Sequence, residues 1–315
     1  MGWQLLTRLG VLLLSLAAAS LLIFLVVQVL PGDPAQVVLG VNATPDALAQ
    51  LRHEMGLDLP AWQRYLGWIA GILHGDFGTS QVSGAPVADL IQQKLSVSGP
   101  LALLGIAVSV LISVPLGVIA GVRYRRLSGA VISALSLGGI AIPAFWAALL
   151  LITVFAIRLH VVPAGGFVAW SDDPVSALRS LLLPAISLGL VQGAILTRYI
   201  RSAIVDVLRE DYIRTARAKG LTRWQALSRH GFRNAAIPVV TVLGLQLTSL
   251  LVGAVVIENV FYLPGLGRML LQAIGNRDLV VIQATVMLLT GVVLVVNFLV
   301  DVSYRLIDPR IRAAR

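Results

Sequence analysis

Six uncharged apolar runs, each long enough to cross a bilayer or nearly so, divide this 315-residue chain and bar it from folding as a water-soluble globule. They cover approximately residues 9–30, 99–122, 131–157, 181–197, 235–257 and 279–300. At about 1.5 Å of rise per residue, some twenty helical residues cross about 30 Å of hydrocarbon. With only 12% charged residues and a mean hydropathy of +0.89, the composition agrees. The chain is therefore predicted to be an all-α, polytopic membrane protein with six transmembrane helices. The first run follows Arg8 like a secretory signal, but it is too long for a signal core, and LPGDP rather than a small-residue cleavage site follows it. It is read as a retained span.

Basic residues set the orientation. Seventeen of the 24 fall on one side of a six-span threading: Arg8, Arg123, Arg125, Arg126, nine from Arg198 to Arg233, and Arg305, Arg310, Arg312 and Arg315. The remaining seven, Arg52, Arg64, Lys94, Arg158, Arg179, Arg268 and Arg277, fall on the other. Short basic loops stay inside, so both termini are expected in the cytoplasm. This asymmetry, with anionic lipid as its partner, accounts for the net charge of +9 and removes any argument for nucleic acid. Cysteine is absent, so disulfides and thiolate metal sites are excluded.

The chain reads as one transmembrane domain (1–315) with three stretches that are more than connectors. Residues 31–98 form an extracytoplasmic insertion; within it Asp58, Leu59 and Pro60 start a helix along which Trp62, Tyr65, Leu66, Ile69 and Leu73 recur at helical spacing, until GDFGTS from Gly75 breaks it. Residues 198–234 form a cytoplasmic segment. Outside again, Pro264, Gly265 and Gly267 are expected to force turns beside the membrane. Pro100, Pro115, Pro143, Pro184 and Pro238 lie in or near spans, marking either irregular packing or a bundle that flexes.

Motifs for self-contained chemistry are missing. The two lysines, Lys94 before Leu95 and Lys219 before Gly220, cannot complete a P-loop. His53 and Glu54 begin a zinc-protease pattern that Leu57 ends, and His74, His160 and His230 lie outside the spans. No GxSxG elbow occurs. Span centres carry no charge, only neutral polar groups: Gln192, then Gln246, Thr248 and Ser249, then Gln283, Thr285 and Asn297. These either bond between helices or line a wettable path. A self-powered pump would place carboxylates at that depth.

The polar insert EDYIRTARAKG, residues 210–220, reads as a short helix that Gly220 ends, followed by a second one with Leu221, Trp224 and Leu227 at i, i+3 and i+6. Such a knob either docks on a partner through its alanines and arginines or rests on anionic headgroups.

The stretches DYIRTARAKGL and RHGFRNAAIPVV resemble the cytoplasmic loop of permease subunits of binding-protein-dependent ABC importers, in the dipeptide and oligopeptide branch. LPGDPA, GLDLPAWQRY, GDFGTS, IPAFW, IENVFYLPGLGR, NRD and DPRIR extend the resemblance almost end to end. Arg214, Thr215 and Ala216 stand where the general importer signature begins Glu-Ala-Ala, and Ser96, Ser98, Gly99 and Pro100 depart from the branch pattern. The resemblance implies a type I ABC importer permease in the bacterial inner membrane, moving di- or oligopeptides. Nickel chelates or glutathione are alternative solutes. Partners would be a second homologous permease, two cytosolic ATPases that bind ATP and Mg, an extracytoplasmic solute-binding protein and lipid. This chain would hold no cofactor or metal and would not be an enzyme. Coupling to the ATPase would fall on Asp211, Tyr212, Arg214, Thr215, Ala216, Arg217, Ala218, Lys219, Gly220 and Leu221. The path is expected along Gln192, Gln246, Ser249, Glu258 and Asn297, with an extracytoplasmic gate or turn at Phe261, Pro264, Gly265 and Gly267. A solitary carrier or channel and a membrane-embedded enzyme are the rival classes.

Overall fold

A computed structural model of the chain describes residues 2–29, 34–40 and 43–307. DPRIR and most of LPGDPA fall outside the described residues. The helices in chain order are α1 (Gly2–Val29), α2 (Pro34–Leu39), α3 (Pro45–Glu54), α4 (Ala61–Leu73), α5 (Val87–Val122), α6 (Leu127–Ala141) and α7 (Ala144–Leu151). There follow α8 (Pro174–Val207), α9 (Asp211–Ala218), α10 (Arg223–Ala226), α11 (Phe232–Val260), α12 (Leu266–Asn276) and α13 (Leu279–Ile307). π-Helical turns, Ile152–Arg158 and Leu227–Gly231, continue α7 and join α10 to α11.

Five helical stretches are long and apolar enough to cross a membrane, and the sixth crossing exists only if a bent pair counts as one. Where one span was expected over 131–157, α6 and α7 with its π-turn meet at 100°. Pro143 is the cause: its ring forces Ile142 out of the helical region, to φ −84 and ψ 119, and it has no N–H to continue the ladder. Pro100, Pro115, Pro184 and Pro238, by contrast, are carried inside continuous helices.

The chain divides into two units. The first comprises Met1–Ser98 and Pro264–Val295. Its apolar core gathers Val87 and Ile91 of α5, Leu266, Met269 and Ala273 of α12, and Val281, Ile282 and Ala284 of α13. α4 begins after Pro60 and stops before Gly75, as its sequence requires, but its apolar stripe does not form a core. Tyr65 and Trp68 pack on Phe24 of α1, with ring centroids 5.4 and 6.3 Å away, while Trp62, Leu66 and Leu73 stay exposed.

The second unit comprises Gly99–Leu263 and Val296–Arg315. α8 is its centre, buried along most of its length and packed against α6, α7 and α11. α8 extends well beyond the expected 181–197 at both ends, because Asp173 caps its start and the residues after Thr197 remain good helix formers. α5 lies so close to α8 that a Cβ on Gly117 or Gly121 would come within 2.7 Å of Ile200 or 2.6 Å of Ile204. Small residues permit this backbone approach where no hydrophobic force holds helices together.

Candidate functional site

The insert at 210–220 folds as expected, and its ends explain why. α9 closes in a Schellman turn: the Gly220 N–H donates to the Arg217 carbonyl at 3.0 Å and the Leu221 N–H to the Ala216 carbonyl at 3.4 Å. Gly220 holds φ +92, a region closed to most side chains. Thr222 and Gln225 then form a reciprocal capping box that starts α10. The second short helix is only Arg223–Ala226; it passes through a π-turn directly into α11, so the knob is fused to a membrane-crossing helix.

Which face points outward differs from expectation. Ile213 and Ala216, spaced i, i+3, are buried with Ile204, Val207, Ala226 and Leu227, and Leu221 packs against that cluster. Ala216 thus packs into the base of the knob within its own unit. Asp211, Tyr212, Arg214, Thr215, Arg217, Ala218, Lys219 and Gly220 are exposed, with Asp211 and Arg214 3.4 Å apart as a surface pair. Tyr212 is fixed at its tip, its hydroxyl accepting from Asn234 Nδ2 at 2.8 Å. Trp224 stands edge-on to Phe232, and Arg223 lies over the Tyr124 ring.

The polar residues expected along a path do not form one row. Gln192 and Gln246 are brought together, Gln246 Nε2 donating to the Gln192 carbonyl at 3.0 Å, and both are buried. Gln192 Oε1 is buried without a partner. Ser249 is exposed, Asn297 half-buried, and Glu258 buried at 1% exposure about 18 Å along α11 from Gln246.

At the end of α11 the turn is made by Tyr262 (φ 54) rather than by a glycine: the Leu263 N–H reaches the Glu258 carbonyl at 2.8 Å and the Tyr262 N–H the Asn259 carbonyl at 3.3 Å. Phe261 is fully buried, and its carbonyl accepts from the Gly166 N–H at 2.8 Å. Gly265 precedes α12 while Gly267 lies inside it, so of the residues expected at this turn Phe261, Pro264 and Gly265 stay outside a helix.

Asp278 forms a site for which the sequence reading gives no role. Asp278 of the NRD motif is buried at 3% exposure and caps α13, its Oδ1 accepting from the Val281 N–H at 3.3 Å. It also accepts from Ser80 Oγ at 2.5 Å and from the Gln81 and Val82 N–H groups at 3.3 and 3.4 Å. An aspartate immediately before an apolar run was a readable cap signal; its clasp on a loop 198 residues away was not. Among the described residues, no three His, Asp or Glu side chains gather as metal ligands.

The fold defines a multi-pass helical membrane protein. Residues 113–313 match the family described as binding-protein-dependent transport system inner membrane component, residues 1–98 match that family's N-terminal component, and the chain belongs to this family of transport subunits, not to the ATP-hydrolysing ones. It is 41% identical over 293 residues, 93% of each chain, to a Brucella abortus (strain 2308) protein named as a peptide transport system permease. It is 37% identical over 331 aligned positions, 98% of each chain, to the dipeptide transport system permease protein DppB of Escherichia coli (strain K12). In fold it is similar to a chain of the MetNI methionine ABC transporter solved in inward-facing conformations, with a TM-score of 0.55 at 18% identity, covering 70% of this chain and 96% of that one.

Proposed function

We propose that this chain is a permease that, with a second homologous permease, carries small peptides across the bacterial inner membrane, driven by ATP hydrolysis on two partner ATPases. The observation that carries the reading is near full-length similarity to proteins named as peptide and dipeptide permeases. Both termini lie in the cytoplasm on this reading, which the side-to-side imbalance of basic residues supports. The exposed face of α9, from Asp211 to Gly220, seats on an ATPase, where ATP and Mg are bound. Because α10 runs through its π-turn into α11, a push on the knob reaches a transmembrane helix without crossing a flexible linker. Ala216 and Leu221 serve by holding the knob to its base. Gln192 and Gln246 tie α8 to α11 beside the uncharged path, and selection is left to an extracytoplasmic binding protein.

Co-reconstitution of the permease pair, the ATPases and the binding protein in proteoliposomes tests this. Labelled dialanine should accumulate against its gradient only with ATP, in preference to glutathione or a nickel chelate. Uphill dialanine accumulation by this chain alone, or none by the full assembly, would sink the reading.

A further inference from the structure

α4 belongs to a stretch expected outside the membrane, yet its contacts set it against the interior of a membrane-crossing helix. The 24 apolar residues of α1 from Leu6 to Val29 run about 36 Å, little more than the roughly 30 Å of hydrocarbon they cross. Ser20 lies about 13 Å along the axis from the Val29 end, which puts it inside the hydrocarbon. α4 reaches that depth. The Ser20 hydroxyl donates its one hydrogen to the Ala17 carbonyl at 2.9 Å, so the Tyr65 hydroxyl, 2.9 Å away, donates to Ser20. Ser20 is buried, and so is Phe24, one turn nearer the end, where the Tyr65 and Trp68 rings pack.

The rest of α4 suits the same surroundings. Trp62, Leu66, Ile69 and Leu73 follow at i, i+4, i+7 and i+11, a single apolar stripe, with Gln63, Arg64 and His74 off it. Trp62, Leu66 and Leu73 are exposed and Ile69 is half-buried. Ile69 is one turn from Tyr65, so the stripe adjoins the edge of α4 that meets α1. On α1, Leu21 and Leu25 flank Phe24 and are exposed, as are Leu22 and Val26, and a crossing helix turns such side chains to acyl chains. The stripe thus continues a surface that lipid already covers. On a surface facing water, an apolar patch of this kind marks a missing partner.

We propose that α4 is let into the leaflet at the Val29 end of α1 and that the acyl chains of that leaflet cover Trp62, Leu66 and Leu73. With both termini in the cytoplasm, this is the outer leaflet. A soluble protein approaching from the aqueous side does not reach a stripe at the depth of Ser20, whereas acyl chains are present there and ask nothing of its side chains but apolar contact. The stretch between the first two spans is then held to the membrane by α4 as well as by its two ends. None of this depends on which solute the protein carries.

The chain has no cysteine, so single-cysteine variants of the full protein in phosphatidylcholine nanodiscs each carry one nitroxide label. Leu66→Cys and Leu73→Cys report on the stripe, Leu22→Cys on α1 marks hydrocarbon, and the exposed Lys219→Cys marks water. Each substitution trims an exposed side chain, so the fold is not at stake. Electron paramagnetic resonance compares collision with oxygen, which concentrates in hydrocarbon, and with chromium oxalate, an anion confined to water. The oxygen-to-chromium ratio at residues 66 and 73 should match that at residue 22 and exceed that at residue 219 by about tenfold. A ratio at either stripe position nearer to that at 219 than to that at 22 would overturn the proposal, placing the face in water and open to a soluble protein. Screening of either label from both reagents would overturn it too, by showing the face covered by protein.

Discussion

Ala216 and Ala218 are two residues apart on α9 and have opposite fates. Ala216 is buried at 8% exposure among Ile213, Leu227 and Ala226, whereas Ala218 faces outward. A tryptophan at Ala216 must overpack the base of the knob, at a cost of about 1–3 kcal/mol, and should lower the melting temperature of the purified chain. Ala218→Trp should leave that temperature within about a degree while reducing ATP-driven uptake, because it adds bulk only where a partner would seat. Equal loss of stability in both variants would contradict the assigned faces. Gly220 is a separate case: its φ of +92 forbids a β-branched side chain, so Gly220→Val should open the turn that links α9 to α10, seen as raised proteolysis between residues 218 and 223.

Helix contacts decide what the second unit can tolerate. α5 and α8 meet through Gly117, Gly121 and Gly189, each so close to a neighbour that a Cβ would fall under 3.0 Å from it. Gly121→Leu should therefore separate the helices and lower the yield of folded, monodisperse chain in detergent, whereas Gly138→Leu, with open space around it, should not. Just ahead of α8, the capping Asp173 is a perturbed carboxylate. The Asp173 carboxyl is held below its ordinary range by the Ser176 hydroxyl, at 2.5 Å, and by the Ser176 and Val175 N–H groups. A depressed folded value means that its contribution to capping α8 is present above the ordinary carboxylate range and fades as pH falls through the folded value. Amide exchange at Val175 and Ser176 should accelerate, relative to the helix interior, only under strongly acidic conditions, and Asp173→Asn should abolish that dependence.

For the whole molecule, the consequence lies in what the chain lacks. No P-loop exists in the sequence, and the family is that of inner membrane components of a larger system. Reconstituted alone, the chain should not concentrate dialanine, whatever ion gradient is imposed, and imposing a proton or sodium gradient while measuring labelled peptide checks this. Six apolar runs and a helix-ending Gly220 were legible in the sequence, because the first follow from composition along the chain and the second from local backbone preference; the capping role of Asp278 was not read, although an aspartate before an apolar run signals it. The bend at Pro143 was legible as a proline but not as a 100° turn, since tolerated prolines elsewhere sit in continuous helices. How far a proline redirects a span depends on what packs around it.

By itself the sequence determined that this protein is helical, crosses the membrane several times, presents a structured polar knob and belongs to a transport family. Those properties follow from hydrophobicity, local backbone preference and motif order, which need no knowledge of distant contacts. Only the tertiary structure decided that Ala216 faces inward, that Gln246 spends its amide on the Gln192 carbonyl, and that Asp278 reaches back 198 residues to hold Ser80. The physical reason is that burial and hydrogen-bond satisfaction are properties of neighbours in space, and helical periodicity specifies a stripe of residues without specifying what that stripe will meet.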